Sequence, residues 1–558
     1  MRGMIKFNCL LAVIFFCVKA NAQYTRHIIQ FSYKGPSKHS LSVPSTYLSE
    51  RAIKRRSKYQ ITLDSTDLPI SDVYLDSIKR IPNISLLSSS KWLNQVLVQT
   101  SDSSALKKIR SLSFVKSAFP IATKINRSNR PDDKFSSEYI FSAPRSGIQM
   151  NQIDPTDYGN SFGQINIHEG EYLHNNGFMG QGITIAMLDA GYLNYTTVAA
   201  FDSLRKNNQI LGTWDFVKNE VSVSEDDAHG LYCLSIMAGN LPGRYLGTAP
   251  KASYYLFRTE DVATEFPIEE HYWAAAAERA DSLGVDMISS SLGYTEFDDP
   301  RFNYTYQNMN GNSTIVTRAA DLASKKGILV CNSAGNSGGS TWKYIAAPAD
   351  GDSVLAIGAT NVNGVPAWFS SYGPSANGKI KPDVASVGDD TYIITPSGNI
   401  ARGDGTSFSN PNLAGLIACL WQAFPEYNNM EIMDAVKKSA SKYNNPDNRI
   451  GYGIPNMRKA FQYLLEKKFQ RLLSDKWIKA FPNPFQSEFA ILIKPKETGI
   501  LTFQLLDISG RIYQSGIENV TQDQFLQIRF NNLGYLPKGI YYIRIINGRS
   551  TETIPILK

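Results

Sequence analysis

Three short motifs carry side chains that together could perform nucleophilic catalysis. Asp189 lies in the sequence Leu-Asp-Ala-Gly, His229 in Asp-Ala-His-Gly, and Ser407 in Gly-Thr-Ser-Phe-Ser-Asn-Pro. A serine hydroxyl is a poor nucleophile until an imidazole takes its proton, and the imidazole needs a carboxylate to fix its tautomer. The order Asp, His, Ser is one of the chain orders in which such triads occur. The sequence therefore predicts a catalytic triad of Asp189, His229 and Ser407.

Each motif alone has an ordinary structural explanation. An aspartate after a strand is usually a turn or cap residue, and a histidine at a helix start is often a polar cap. The Gly-Thr-Ser run, with a proline in the first helical turn, could be simple N-capping. The combination of the three favours catalysis, because a serine at a helix N-terminus also places backbone amides near a developing oxyanion.

A fourth motif supplies a candidate oxyanion donor. Asn336 lies in the sequence Asn-Ser-Ala-Gly-Asn-Ser-Gly at 332–338. Its side-chain amide could bind the tetrahedral oxyanion beside the Ser407 backbone N–H. Alternatively, the segment is a glycine-rich turn in which asparagine tolerates a positive φ.

The elements that must position these residues form an α/β pattern. Near-continuous apolar strands alternate with helices, which indicates a mostly parallel sheet covered on both faces. Functional sites in such sheets gather at the carboxyl ends of the strands. The predicted strands are 183–189, 252–257, 285–289, 328–331 and 354–358, and the predicted helices include 271–283 and 314–326.

Residues 182–420 resemble the subtilase family of serine proteases. The resemblance rests on the four motifs above, on Phe-Ser-Ser-Tyr-Gly-Pro at 369–374 and on Lys-Pro-Asp-Val at 381–384. It implies a subtilisin-like fold in which Ser289-Ser-Ser-Leu-Gly293 forms an edge for extended substrate. Expected to contact substrate are Ser291, Leu292, Gly293 and Gly335.

Two positions depart from the commoner subtilase pattern. Leu231 follows His229-Gly230 where threonine is frequent, and Phe408-Ser-Asn-Pro replaces Met-Ala-x-Pro after the serine. Neither change removes a catalytic atom. Cys233 lies four residues after His229, on the same helix face. It is either a free thiol near the site or a small buried apolar side chain.

The first 22 residues have the features of a secretory signal peptide. Arg2 and Lys6 precede an apolar run at 10–18 and a small-x-small cleavage site ending at Ala22. Its removal would leave three scattered cysteines, which do not form a disulfide framework. No later apolar stretch is long enough to span a bilayer, so we expect no transmembrane segment in the mature chain.

Residues 23–121 resemble the propeptides of Bacteroidetes-type subtilases, which fold as small α+β units and inhibit the protease. The resemblance rests on Ser49-Glu-Arg-Ala-Ile-Lys-Arg-Arg56 and Ser90-Lys-Trp-Leu-Asn94. The basic residues at 51–56 are predicted to form a solvated helix face. Residues 122–163, rich in Ser, Arg, Asn and Pro without periodicity, are predicted to be an exposed linker.

The peptidase domain is expected at 164–468, a short linker at 469–477 and a small β-sandwich at 478–558. The last region resembles the sorting domain of the type IX secretion system. Its marks are Phe481-Pro-Asn-Pro-Phe485, the turn at 506–511, the segment 536–542 and a strand ending in Lys558. The resemblance implies passage through the periplasm and outer membrane to the cell surface or medium, with the secretion machinery as a partner.

Bulk properties exclude some function classes. The formal charge of +7 over 558 residues is small, and the basic residues are scattered, which argues against a nucleic-acid-binding function. No cofactor is required for the predicted chemistry and no metal ligand is assigned. Calcium is plausible from the resemblance, yet Asp226-Asp227 and Asp298-Asp299 fit solvated turns as well as a site. We expect a monomer.

The leading hypothesis is a secreted serine endopeptidase, made as a zymogen, that works through an acyl-enzyme. Its expected partners are protein or peptide substrates and its own propeptide. One alternative is a catalytically silent subtilase fold that serves as a surface binding module. Another is an esterase, although Gly-Thr-Ser-Phe-Ser lacks the closing glycine of the Gly-x-Ser-x-Gly elbow.

Overall fold

A computed structural model describes residues 24–123, 134–135, 138–142, 158–472 and 476–558. The predicted signal peptide at 1–22 and most of the predicted linker at 122–163 lie outside the described residues. Strands and helices are numbered below in chain order.

The N-terminal region is a four-stranded antiparallel sheet in the order β2-β3-β1-β4, covered by helices. One face of the sheet packs Ile29, Val96 and Val98 with Ile109 of helix α3, whereas Ile28 and Leu97, on the opposite face, enter a second core with residues of the middle region. The elements are β1 (Tyr24–Phe31), α1 (Glu50–Lys58), α2 (Asp72–Lys79), β2 (Ser85–Ser90), β3 (Gln95–Gln99), α3 (Ser103–Arg110) and β4 (Val115–Thr123), followed by a short strand, β5 (Tyr139–Ser142).

The middle region is built on a seven-stranded, fully parallel sheet in the order β14-β13-β12-β11-β6-β10-β7. The predicted parallel α/β sheet is therefore confirmed. Its strands are β6 (Thr184–Asp189), β7 (Ile210–Asp215), β10 (Ser253–Arg258), β11 (Met287–Ser290), β12 (Leu329–Ser333), β13 (Val354–Thr360) and β14 (Val384–Val387).

Helices and short strands surround this sheet. The helices are α4 (Phe162–Asn166), α5 (Gly170–Asn175), α6 (Asp202–Lys206), α7 (His229–Ala238), α8 (Ile268–Leu283), α9 (Ile315–Lys325), α10 (Thr406–Ala423), α11 (Asn429–Ser439) and α12 (Met457–Leu472). The short strands are β8 (Asn240–Leu241), β9 (Tyr245–Leu246), β15 (Thr391–Ile394) and β16 (Ile400–Asp404).

Strand β6 shows how the sheet serves two hydrophobic cores. Ile185 and Met187 enter the core shared with helices α7 and α10, whereas Ala186 and Leu188 enter the core shared with α8 and α9. Successive side chains of a strand point to opposite faces, so a strand buried on both sides must be apolar throughout. The first fully polar side chain, Asp189, therefore falls where the strand ends.

The C-terminal region has two antiparallel sheets, β17-β18-β21 and β20-β19-β22-β23, that share one core. The predicted small β-sandwich has this arrangement. Its strands are β17 (Ile478–Phe481), β18 (Phe489–Ile493), β19 (Gly499–Leu506), β20 (Ile512–Val520), β21 (Leu526–Phe530), β22 (Ile540–Asn547) and β23 (Ser550–Leu557). Among the residues described, none of the helices has the length and apolar character needed to cross a membrane.

Helix α1 docks on the middle region through buried ion pairs. Arg55 lies 2.5 Å from Asp281, and Arg56 lies 2.9 Å from Asp281 and 2.7 Å from Asp67. Both arginines are buried, so the prediction of a solvated basic face is wrong for them. It holds for Lys54, which is exposed and pairs with Glu50. Buried guanidinium groups need carboxylate partners, and Asp281 lies too far along the chain for a local pattern to reveal it.

Candidate active site

Asp189 and His229 meet where strand β6 ends and helix α7 begins. The buried Asp189 carboxylate accepts hydrogen bonds from the Ala190 backbone N–H at 2.8 Å and from His229 Nδ1 at 2.6 Å. Gly230 permits this approach, since a Cβ there would lie 2.4 Å from the Gly191 carbonyl oxygen. The carboxylate thereby fixes the imidazole so that Nε2 is the nitrogen available for proton transfer.

Ser407 occupies the first turn of helix α10. Its carbonyl oxygen accepts hydrogen bonds from the Ser291 hydroxyl at 2.9 Å and from the Cys233 thiol at 3.4 Å. Asn410, one turn further along, donates from Nδ2 to the Ser290 carbonyl oxygen at 3.1 Å. These bonds hold the start of α10 against the end of strand β11 and against helix α7. The two contacts together position Ser407.

The Asn336 amide is oriented by its neighbour at the start of α10. Its Oδ1 accepts hydrogen bonds from the Thr406 backbone N–H and hydroxyl, both at 2.8 Å. With the oxygen thus engaged, Nδ2 is directed to the space in front of Ser407. An amide donor fixed in advance is what stabilisation of an oxyanion requires.

The side chain of Glu138 fills that space. Its Oε1 accepts hydrogen bonds from the Ser407 hydroxyl at 2.5 Å and from Asn336 Nδ2 at 3.0 Å, and its Oε2 lies 3.0 Å from His229 Nε2. Glu138 Oε1 thus accepts hydrogen bonds both from the hydroxyl of the predicted nucleophile and from the donor of the predicted oxyanion site.

Phe135 and Glu138 both lie in the site, and the Glu138 backbone N–H donates to the Phe135 carbonyl oxygen at 2.8 Å. Phe135 stacks on the His229 ring with the centroids 3.8 Å apart and the planes at 7°. After Glu138 the chain forms strand β5, which pairs antiparallel with β16, directly before α10. The sequence predicted an exposed linker here, and the structure instead buries the Glu138 side chain, which is 5% exposed. No signal in the Ser- and Arg-rich composition marks this carboxylate.

The predicted substrate-contacting residues lie around Ser407. The Ser291 carbonyl oxygen accepts from the Ser407 hydroxyl at 3.3 Å, and that of Leu292 accepts from Asn332 Nδ2 at 2.9 Å. Gly335 has φ of +105° and donates its N–H to the Thr406 hydroxyl at 3.1 Å. At Gly293 a Cβ would lie 2.8 Å from the Ala346 methyl carbon. Their contact with substrate stays a prediction.

Electrostatics in the site depend on burial and on two carboxylates. Burial opposes the charged imidazole, but Asp189 and Glu138 outweigh it and raise the pKa of His229 well above its usual value. Burial, reinforced by the Asp189 charge, raises the pKa of the Cys233 thiol. Cys233 therefore lies near the site as a neutral thiol that donates to the Ser407 carbonyl oxygen.

The aspartates considered for calcium are engaged by side-chain cations. Asp226 lies 2.5 Å from Lys218 and 3.5 Å from Arg258. Asp299 pairs with Arg301 at 2.7 Å and caps the short helical turn at 300–302. These pairings fit turn residues, and Asp226 also lies with Asp215 and Glu220 in a group whose carboxylate oxygens are within 4.8 Å of one another.

A parallel sheet that brings an Asp–His pair, a serine at a helix N-terminus and an oriented amide to one edge is suited to acyl transfer. Residues 180–453 match the family model described as "Subtilase family". Residues 26–137 match "Peptidase S8 propeptide domain, Bacteroidota", and residues 479–557 match "Secretion system C-terminal sorting domain".

Known subtilases are similar to the middle region. Thermitase from Thermoactinomyces vulgaris is 30% identical over 290 residues, which cover 51% of this chain and 90% of thermitase. Subtilisin BL from Lederbergia lenta is 28% identical over 288 residues, covering 51% of this chain and 93% of that protein. Among solved structures, MycP1 from Mycobacterium smegmatis aligns with a TM-score of 0.43 and 21% identity over 58% of this chain and 88% of that chain.

The chain belongs to the subtilase family. It is a serine endopeptidase of that family with a propeptide before the peptidase domain and a secretion sorting domain behind it. The predicted resemblances of all three regions are confirmed by these matches.

Proposed function

We propose that the protein cleaves peptide bonds through an acyl-enzyme formed on Ser407. Asp189 orients and stabilises the His229 imidazole, His229 acts as general base and then general acid, and Asn336 binds the oxyanion with the Ser407 backbone N–H. The observation that carries this proposal is the single carboxylate of Glu138, which contacts Ser407, His229 and Asn336 at once. Groups that converge on one carboxylate are placed to act on one substrate carbonyl.

The proposed reaction follows from these positions. His229 Nε2 removes the proton of the Ser407 hydroxyl while Oγ attacks the carbonyl carbon, and the negative charge passes to the carbonyl oxygen near Asn336 Nδ2. His229 then gives the proton to the leaving amine, and the peptide bond breaks. A water molecule, deprotonated by the same imidazole, hydrolyses the ester and restores Ser407. Only groups of the chain take part.

We further propose that the propeptide keeps the enzyme inactive until it is removed. Phe135 covers the His229 ring, and Glu138 occupies the position of the substrate carbonyl. Hydrolysis therefore requires that the segment at 134–142 leave the site. The edge formed by Ser291, Leu292 and Gly293, with Gly335 beside it, would then pair with extended substrate backbone.

The proposed domain order accounts for export. Residues 1–22 direct passage across the inner membrane and are removed, 23–121 form the propeptide and 122–163 connect it to the peptidase at 164–468. A connection at 469–477 leads to the sorting domain at 478–558, which directs the chain across the outer membrane. Deletion of residues 476–558 should leave the protease in the periplasm, as measured by immunoblotting of periplasm, cell surface and medium.

The decisive experiment compares hydrolysis of casein by the matured protein and by two serine variants. Ser407→Ala should abolish casein cleavage and labelling by a fluorophosphonate. Ser409→Ala is the matched control, because Ser409 lies on the same helix and its hydroxyl bonds only to the Thr406 carbonyl, at 2.9 Å. It should retain both activities. Matured protein that neither cleaves casein nor reacts with the fluorophosphonate would support a silent binding module. Matured protein that reacts with the fluorophosphonate and hydrolyses esters, but does not cleave peptides, would support an esterase.

A further inference from the structure

A second group of buried carboxylates lies beside the catalytic centre. Glu260 follows strand β10, Glu265 precedes helix α8, and Glu269 lies in the first turn of α8. All three are buried, and their carboxylate oxygens lie within 4.8 Å of one another. We refer to Glu260, Glu265 and Glu269 as the acidic pocket. None of these residues has a part in the proposed reaction.

The acidic pocket binds the ammonium group of Lys134. We refer to Lys134, Phe135 and Glu138, which contact the peptidase site, as the inhibitory segment. Lys134 Nζ lies 2.9 Å from Glu265 Oε2 and 2.9 Å from Glu269 Oε1, and it also contacts Glu260 Oε2. The Lys134 side chain is only 9% exposed. Residue 134 lies inside the stretch that matches the propeptide model, and the proposal below takes this cation to leave with the propeptide on activation.

Two of the three carboxylates also accept hydrogen bonds from the peptidase domain. The Tyr294 hydroxyl donates to Glu260 Oε1. Glu269 accepts from the backbone N–H groups of Asp261 at 2.8 Å and Phe266 at 3.2 Å. Its place in the first turn of α8 also favours negative charge. These bonds orient Glu260 and Glu269 independently of Lys134, although burial raises the pKa of Glu269 well above its usual value.

Departure of Lys134 leaves three buried carboxylates close together. Burial and their mutual repulsion disfavour the charged forms, and a cation in the pocket offsets both effects. In the proenzyme the Lys134 ammonium has this role, and the neighbouring carboxylates raise the pKa of Lys134 well above its usual value in spite of burial. In the proposal, the matured enzyme lacks Lys134. A cationic side chain of the substrate that is long enough to reach the three carboxylates can then take its place.

The path of the inhibitory segment relates the pocket to the scissile bond. Lys134 immediately precedes Phe135, which stacks on His229, and it lies four positions before Glu138, which contacts Ser407. A substrate bound in the same direction places a residue that precedes the cleaved bond in the pocket.

We propose that the acidic pocket is a specificity site that binds a Lys or Arg side chain of the substrate on the amino-terminal side of the scissile bond. The proposal rests on the proposed endopeptidase function. It makes Lys134 an internal mimic of the preferred substrate side chain, in the same way that Glu138 mimics the substrate carbonyl.

The test uses matured enzyme and fluorogenic peptides that differ at one position. Lys, Arg, Met or Glu is placed in turn at each of the four positions before the cleaved bond. At one position, kcat/KM for Lys or Arg should exceed that for Met by at least about 30-fold, the lower range for loss of one partner of a buried charge pair. Glu265→Gln and Glu269→Gln, singly and together, should reduce this ratio while kcat/KM for the Met peptide is kept.

Two controls separate this proposal from the proposed function. Glu296→Gln removes the same charge from an exposed position and should leave the ratio unchanged. Fluorophosphonate labelling of Ser407 should proceed at the same rate in all variants. Equal kcat/KM for Lys and Met peptides in an enzyme that labels normally would overturn the specificity site alone. Loss of labelling in the wild type would instead overturn the proposed function.

A second measurement does not depend on turnover. In the unprocessed Ser407→Ala chain, Lys134→Met should accelerate hydrogen exchange of the β5 amides by about tenfold or more, whereas Lys134→Arg should retain slow exchange. Equal exchange in all three chains would contradict recognition of a cationic side chain. Calcium binding by the matured enzyme, lost in Glu269→Gln and accompanied by no preference for Lys, would assign the pocket to a metal and overturn the proposal.

Discussion

Asn336 provides the sharpest residue-scale test of the proposed chemistry. Its Oδ1 is held by Thr406, so its Nδ2 faces the position of the oxyanion before any substrate binds. Asn336→Ala should lower kcat for a peptide substrate by about 100- to 1,000-fold with little change in KM, as expected for loss of a donor used in the transition state. Steady-state kinetics of the matured variant measure this, and an unchanged kcat would remove Asn336 from the oxyanion site.

Glu138 links the protonation of His229 to closure of the site. Against the opposing effect of burial, Asp189 and Glu138 raise the pKa of His229, so Glu138→Gln should lower it. The raised pKa belongs to the folded, unprocessed chain. The charged His229 imidazole therefore stabilises the contact with Glu138 fully below the unperturbed pKa of histidine. This stabilisation is lost as the pH rises through the raised pKa. Alkaline pH should favour release of the segment.

The measurement is an NMR titration of His229 in the unprocessed Ser407→Ala chain, with and without Glu138→Gln. Glu296→Gln, which removes an exposed charge, is the control and should leave the titration in place. An identical His229 pKa in the Glu138→Gln chain would show that the carboxylate does not act on the imidazole.

At the scale of single elements, the junction of β6 and α7 depends on the absence of a side chain at Gly230. A Cβ there would lie 2.4 Å from the Gly191 carbonyl oxygen and 3.0 Å from Asp189 Cβ. Gly230→Ala should destabilise the domain by about 1–3 kcal/mol, the usual range for overpacking, and slow fluorophosphonate labelling. Gly163→Ala, whose Cβ would meet only Val362 at an ordinary 3.5 Å, is the control. Thermal unfolding of both variants measures the difference, and equal stability would contradict the packing argument.

Elements with strong local signals could be predicted from the sequence. Strand β6 is apolar from Ile185 to Leu188, and helix α8 is bounded by acidic residues at its start and Gly284 after its end. The positions of Lys134 and Glu138 could not be predicted, because they depend on contacts with residues more than a hundred positions away, such as Glu260 and Ser407. The buried Arg55 was missed for the same reason, since its partner Asp281 lies in another region.

For the whole molecule, the buried ion pairs of α1 join the propeptide to the peptidase domain. In the unprocessed Ser407→Ala chain, Arg55→Met should weaken this interface by about 3–5 kcal/mol, because Asp281 loses one of two buried partners. Lys54→Met, at an exposed pair on the same helix, should change it by less than about 1 kcal/mol. Denaturant unfolding compares the two variants, and equal effects would show that the buried pair does not stabilise docking.

The three regions together describe a protease whose peptidase site is occupied by residues of its own N-terminal region. The N-terminal region contributes Lys134 and Phe135 to the site, the peptidase domain contributes the proposed triad, and the C-terminal region matches a sorting domain. Of this arrangement, the sequence motifs predict the three regions and the candidate catalytic residues. They do not predict which side chains of the propeptide reach the site, because that depends on how two separately folded regions dock.

The central claim is that Ser407 is the nucleophile activated by His229. Mass spectrometry after brief fluorophosphonate treatment of the matured protein tests it most directly. A single phosphonyl adduct on the peptide containing Ser407, absent from unprocessed protein and from His229→Ala, is the predicted result. No adduct on the matured protein, an adduct at another serine, or equal labelling in His229→Ala would contradict it.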